Sequence, residues 1–189
     1  MIEVNAVMKI ISGIYKGRNL SGFDIDGTRP TMDRVKESLF SMIQNNIKGS
    51  TVLDLFSGSG NLGLESLSEG ASEAYLVDKN IKACKIMREN ITKINIKNAN
   101  ILNMDYARAL TYFKDNNITF DVIFLDPPYN TDLIDKSINL ITSYNLLKEQ
   151  GLIICESNAL DKIIYSNNYI KIKEKRYGDK WVVILTKVC

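Results

Sequence analysis

From about residue 51 to residue 157, apolar β-rich runs alternate with segments of helical period. That alternation restricts the chain to strands joined by helical crossovers in a parallel sheet, an α/β fold. Strands are expected at Thr51 to Phe56, Glu73 to Asp78, Ala99 to Leu102, Phe120 to Asp126 and Gly151 to Glu156. Most are continuous apolar runs, as strands covered on both faces require. Helices are expected near 61 to 69, 79 to 94, 105 to 115 and 132 to 146. After Asp161 the period changes to two. Ile170 and Ile172 then point one way and Lys171, Lys173 and Lys175 the other, and WVVILTKV (Trp181 to Val188) follows a turn at Tyr177-Gly178-Asp179-Lys180. This predicts an antiparallel hairpin. Ahead of the sheet, Met8 to Leu20 alternates around two glycines as a small β-hairpin. A helix follows, marked by Val35, Leu39, Met42 or Ile43, and Ile47, with Thr31 as its expected N-cap and Pro30 before it. A chain of 189 residues buries one sizeable core. The expected organisation is an N-terminal extension, hairpin and helix over residues 1–48, then the α/β unit over 49–189.

The loop after the first of these strands reads DLFSGSG, Asp54 to Gly60. Gly58, Gly60 and Gly63 satisfy GxGxxG between a strand and a helix, and Asp78 closes the next strand. Taken literally, this is also a dinucleotide-binding fingerprint, so a dehydrogenase must be weighed. Asp54 decides against it. A carboxylate directly before the loop repels a pyrophosphate at close range but attracts the ammonium and sulfonium of S-adenosylmethionine, a net cationic cofactor. Gly58 and Gly60 then let the backbone approach the ligand beside Ser57, and Asp78 is placed to accept ribose hydroxyls. Asp105, after the third strand, suits either an adenine amino group or a helix N-cap, and one residue could serve both.

Asp126-Pro127-Pro128-Tyr129 follows the fourth strand, FDVIFL. Two consecutive prolines bar both helix and ladder bonding, which forces a loop at the carboxyl edge beside the cofactor crevice. An exocyclic base amine is a poor nucleophile because its lone pair is delocalised into the ring. Acceptors aimed at its N–H groups, the Asp126 carboxylate and the Pro127 carbonyl, would localise that pair for in-line attack. Tyr129 offers a ring for an extruded base, worth ~1–3 kcal/mol per base in comparable settings.

Other classes fall to composition. The chain contains no histidine, which removes the Ser-His-Asp triad, the Cys-His pair and every His-containing metal site; no metal is expected. Cys84, Cys155 and Cys189 lie far apart with no CxxC spacing, a pattern of a reducing compartment. No apolar run approaches the ~20 residues of a membrane helix, and no secretory leader opens the chain, so a cytoplasmic location is expected. Formal net charge is only +2, but basic residues gather at both ends: Lys9, Lys16 and Arg18, then Lys162, Lys171, Lys173, Lys175, Arg176, Lys180 and Lys187 against Glu174 and Asp179. Residues 1 to 7 precede a second possible start at Met8.

These segments resemble a known family, the bacterial 16S rRNA guanine-N2 methyltransferases of the RsmD type, over nearly the whole chain from Met8. MKIISGIYKGRNL looks like that family's opening hairpin, TRPTMDRVKESLF (Thr28 to Phe40) like its following helix, and DLFSGSGNLGLESLSEGA (Asp54 to Ala71) like its cofactor loop and helix; DPPY and Tyr177-Gly178 fit as well. The resemblance implies a class I S-adenosylmethionine methyltransferase fold, a Rossmann-like seven-stranded sheet with its last strand antiparallel. It further implies methylation of one guanine N2, the 966-type site, in 16S rRNA of the small ribosomal subunit or its assembly intermediate. Carried over by position, Asp54, Ser57, Gly58 and Gly60 match the cofactor loop, Asp78 the ribose acid, Asp105 the adenine acid, and Asp126 to Tyr129 the catalytic motif. Asp78 stands where the family more often has glutamate. Arg29-Pro30-Thr31 would line the crevice, with Thr31 near the methionine carboxylate at a helix N-terminus or simply capping the helix. Lys9, Lys16, Arg18, Arg29 and Arg34 become candidates for phosphate contacts on RNA, which makes residues 1–48 an RNA-binding appendage. Two alternatives remain: a DNA adenine or cytosine amino-methyltransferase, disfavoured because the chain has no room for a target-recognition insert, and a non-catalytic methyltransferase-like RNA-binding module.

Overall fold

A computed structural model describes residues 6–22, 29–128 and 132–188, the side chains of residues 6, 7 and 29–32 excepted. The alternation read from the sequence becomes a seven-stranded sheet of order β5-β4-β3-β6-β7-β9-β8. Its strands are β3 (Thr51–Asp54), β4 (Glu73–Val77), β5 (Ala99–Leu102), β6 (Phe120–Leu125), β7 (Leu147–Ser157), β8 (Tyr169–Tyr177) and β9 (Lys180–Lys187). Strands β3 to β7 pair in parallel, and β9 enters antiparallel between β7 and β8. This is the class I methyltransferase arrangement, with the last strand reversed.

Helices α2 (Asn61–Ser68) and α3 (Ile81–Ile94) cover one face together with α1 (Arg29–Ile47); α4 (Tyr106–Asp115) and α5 (Leu133–Ser143) cover the other. The division follows the two-residue period of the strands. Val52, Leu76, Val122, Phe124, Leu152, Ile154, Val182 and Ile184 belong to the first core, and Leu53, Val77, Ile123, Leu125, Ile153, Cys155, Val183 and Leu185 to the second. Phe113, Phe120 and Tyr75 meet edge to face in the second core, with Phe113 and Phe120 centroids 4.9 Å apart.

Strand β7 begins at Leu147, earlier than the expected Gly151, and carries Gln150 at φ 61° before the regular pairing with β6 resumes at Leu152. Helix α1 begins at Arg29, so Thr31 is not its N-cap but lies in its first turn. Proline at the second helical position is no obstacle, because the first four helical N–H groups have no acceptor within the helix. In β8 the expected alternation fails. A register shift between Lys171 and Lys173 leaves Ile170 50% and Ile172 47% exposed, so β8 is an edge strand whose isoleucines face solvent.

The N-terminal hairpin, β1 (Ala6–Lys9) with β2 (Asn19–Gly22), forms as the alternation predicts. It docks through a buried ion pair. Glu65 on α2 is 0% and Lys36 on α1 3% exposed, with Lys36 Nζ 2.7 Å from Glu65 Oε2. The other two ammonium donors go to the Lys9 carbonyl (2.6 Å) and Asn61 Oδ1 (2.8 Å), and Glu65 also accepts from the Ile11 and Ser12 N–H groups. Every donor of the buried ammonium is used, the condition under which burying such a pair is tolerable.

Candidate functional site

Four acids come to the carboxyl edge of the sheet from separate strands. Asp54 ends β3, Asp78 follows β4, Asp105 follows β5 and Asp126 follows β6. In an open parallel sheet this edge, at the switch in strand order between β3 and β6, is where a ligand crevice forms.

The glycine loop is held from beneath. Asp54 is 2% exposed, and its Oδ2 accepts the Gly63 N–H at 3.1 Å. Burial pushes its carboxyl up to about 7; Gly63 N–H pulls the other way and Asp78 adds repulsion. A Cβ at Gly63 would lie 2.0 Å from Leu76 Cδ2, so α2 rests closely on β4 and any larger residue there would displace that leucine. Gly58 has φ +54° and nothing within 4 Å of its Cβ position, which leaves its surface open to a ligand. Ser57 turns inward, its hydroxyl donating to the Asp54 carbonyl at 2.6 Å.

Asp78 and Asp105 each keep acceptor capacity. Asp78 Oδ2 accepts the Gly58 N–H at 2.9 Å and Oδ1 the Asn80 N–H at 2.7 Å. Each carboxylate oxygen can accept a second donor, so the aspartate both sets the loop and can reach a diol. Asp105 caps α4: its Oδ1 accepts from the Ala107 (3.0 Å) and Arg108 (3.1 Å) N–H groups. Both capping bonds use the same oxygen, which leaves Oδ2 for a ligand amine. Phe56 and Tyr106, centroids 5.9 Å apart, form an apolar wall beside it. Neither ring was among the residues singled out in the sequence, where an aromatic beside a strand end reads as ordinary core.

Asp126 sits at the end of β6 with its carboxyl raised to about 8, first by burial and then by the charge of Glu156, with Lys180 opposing and Asp54 adding repulsion. Glu156 is 8% exposed and pairs through Oε1 with Lys180 Nζ. Pro127 is buried and Pro128 exposed. Tyr129 lies outside the described residues, as do the side chains of Arg29 and Thr31 and all of Cys189. Lys9, Lys16, Arg18 and Arg34 are exposed. Cys84 and Cys155 are buried free thiols. Among the described residues no cluster of three or more metal-ligating side chains occurs and no helix is long and apolar enough to cross a membrane.

Two further ties link the hairpin to the loop. Besides Lys36 on Asn61, the buried Asn90 of α3 donates to the Ser59 carbonyl (3.1 Å) and exchanges hydrogen bonds with Ser21 of β2 (2.8 and 2.9 Å). Sequence reading passed over Lys36, Asn61, Glu65, Asn90 and Glu156, and saw Lys180 only as part of a basic cluster and a turn. Only Glu156 carried a readable signal, its place at the carboxyl end of an expected strand.

A family model described as Conserved hypothetical protein 95 matches residues 8–186. The ribosomal RNA small subunit methyltransferase D of Haemophilus influenzae is 35% identical over 175 residues, covering 90% of this chain and 89% of the relative. Its namesake in Escherichia coli is 34% identical over 152 residues, covering 80% and 75%. The solved structure of yhhF from Escherichia coli superposes with a TM-score of 0.84 at 29% identity, covering 96% of this chain and 98% of the other.

Proposed function

The chain belongs to the family described as Conserved hypothetical protein 95, the RsmD type, and on that premise we propose that it methylates small-subunit rRNA with S-adenosylmethionine as methyl donor. The acceptor is the exocyclic N2 of a guanine, the 966-type site.

The observation that carries this reading is the row of acids at the sheet edge. Asp54 lies buried beneath an open glycine loop, where a bound cation favours its ionised form and a pyrophosphate would disfavour it. Asp78 offers acceptors for a ribose and Asp105 one for an adenine amine. The residues present therefore fit the cofactor, which supplies a methyl group on a sulfonium.

Next in the row, Asp126 accepts one N2–H of the base while the Pro127 carbonyl accepts the other. That directs the nitrogen lone pair toward the methyl carbon. Once the amine has taken the methyl group, one of its two protons would leave to Asp126 or to water. Asp126 is raised to about 8, so its accepting, ionised form grows as pH approaches that value. Tyr129 stacks on the base, and Lys9, Lys16, Arg18, Arg29 and Arg34 meet RNA phosphates, giving residues 1–48 their role as RNA-binding appendage. The first turn of α1, which includes Thr31, would hold the methionine carboxylate.

The test is transfer of tritiated methyl from the cofactor to small subunits from a strain lacking the modification, followed by nucleoside mapping. N2-methylguanine at a single position is expected. Transfer to DNA with none to rRNA would sink the assignment.

A further inference from the structure

Asp126, the residue after β6, and Glu156 and Lys180, on β7 and β9, lie in that order across the sheet. Leu125 pairs with Cys155, so Asp126 and Glu156 are the next positions along paired strands. Parity puts all three on one face. Phe124, Ile154 and Val182 belong to the core under α1 and α2, and Asp126, Glu156 and Lys180 each stand two positions from one of them. The contact between Glu156 and Lys180 bears this out for those two. The loops after β3, β4 and β5, which carry the cofactor acids, lie on the far side of Asp126 from Glu156. Moving away from the cofactor crevice, a base therefore meets a carboxyl, a second carboxylate and an ammonium.

The Watson–Crick edge of guanine has the matching order: the N2 amine with two donors, the N1–H donor, and the O6 acceptor. Adenine offers an acceptor at N1 and a donor at position 6, the reverse of both. We propose that Glu156 and Lys180 read the target guanine, Glu156 accepting its N1–H and Lys180 donating to its O6, while Asp126 holds N2 at the cofactor end. This rests on the guanine-N2 reading above and adds to it the groups that choose the base. The ion pair need not break, since it runs through Glu156 Oε1 and N1–H and O6 are adjacent on the base. At 8% exposure Glu156 is already largely desolvated, so an N–H that fits it is well rewarded and an acceptor facing it is strongly disfavoured. A flipped base is read at this edge in other enzymes that act on bases.

2-Aminopurine tests the idea because it keeps the reacting N2 amine but turns N1 into an acceptor and lacks O6. The methylated position is first mapped with the wild-type protein, and small subunits are then reconstituted with guanine or 2-aminopurine there. Wild type should prefer guanine by about 10⁴-fold or more in kcat/KM, the scale on which a site built to hydrogen-bond a donor rejects an analogue lacking it. Glu156→Gln, whose amide can turn an N–H toward the analogue, should bring that ratio down about 100-fold, and Lys180→Met should lower it about tenfold. A purely structural pair would instead lower both substrates together. An unchanged ratio in both folded variants overturns the proposal, and so does a wild-type preference below about tenfold, which needs no variant. Cofactor affinity by calorimetry checks folding, and should Glu156→Gln not fold, the wild-type ratio and Lys180→Met decide. If the mapped wild-type product is not N2-methylguanine, the functional reading itself falls, before any variant is made.

Discussion

Beneath α4 and α5, the sheet presents Leu53, Ile123, Ile153 and Val183 to Phe113 and Ile138. Offset by one residue along the same strands, the opposite face runs through Val52, Phe124, Ile154 and Val182 and ends in Asp54, Asp126, Glu156 and Lys180. That second face also buries Lys36, Glu65 and Asn90. Both faces are packed, but among the described residues only one has charge at stake inside it. An apolar face loses stability in proportion to the volume removed. A face with satisfied buried polar groups loses stability and function together, because the same atoms position the loops.

The largest effect expected to expose this contrast is Lys36→Met. It strands the Glu65 carboxylate and should cost roughly 3–5 kcal/mol, measured by denaturant unfolding, with cofactor affinity falling because Asn61 and the Lys9 carbonyl lose their shared donor. Phe113→Ala on the other face should cost a similar ~3–5 kcal/mol and leave transfer per folded molecule unchanged. If both variants alter cofactor binding equally, the two faces do not divide the work. Asp126→Ala comes next, with a loss of about 10²–10³-fold in kcat and cofactor affinity kept within tenfold by calorimetry. A larger loss of affinity would place Asp126 in cofactor binding instead.

The charged face should also respond to pH. Asp54 is raised from 3.8 to about 7, so between those values the folded chain holds a proton that the unfolded chain has released. Stability of the cofactor-free protein should fall as pH rises through that window. Asp126, raised to about 8, adds a dependence of the same sign, so Asp54→Asn should reduce this slope without abolishing it, and unfolding midpoints at pH 5 and pH 8 for both proteins would show it. For Asp126, raised to about 8, kcat/KM should climb close to tenfold per pH unit below that value and level off above it. A flat profile would mean that Asp126 acts without ionising. The smallest effect is Ile138→Val under the apolar face, roughly 0.5–1.5 kcal/mol, read as a lowered Tm with unaltered kcat.

The sequence made Asp54 and Asp126 visible because a strand end followed by a glycine or proline loop fixes where a side chain sits before any tertiary contact is known, and Asp78 and Asp105 because they lie at or just after the ends of the next expected strands. It also exposed the parallel core, since continuous apolar runs leave few alternatives. Glu156 and Lys180 were not readable as a pair. They are 24 positions apart, and their meeting depends on β9 inserting between β7 and β8, a pairing that no local pattern encodes. Lys36 and Glu65 were hidden for another reason: a lysine on an amphipathic helix looks solvated until the hairpin that covers it is in place. The failed alternation of β8 has a physical cause too, because an edge strand with a register shift at Ile172 has no core to impose one.

The strict two-residue parity of the strands makes the site all-or-none with respect to chain length. Substituting a neighbour nudges a side chain, whereas inserting or deleting a single residue within β3, β6 or β7 would turn Asp54, Asp126 or Glu156 to the opposite side of the sheet. The loops at the other edge carry no such arithmetic. Anyone grafting this scaffold onto a new substrate has freedom in those loops and in the helix surfaces, and almost none in the spacing between each strand and the acid that ends it.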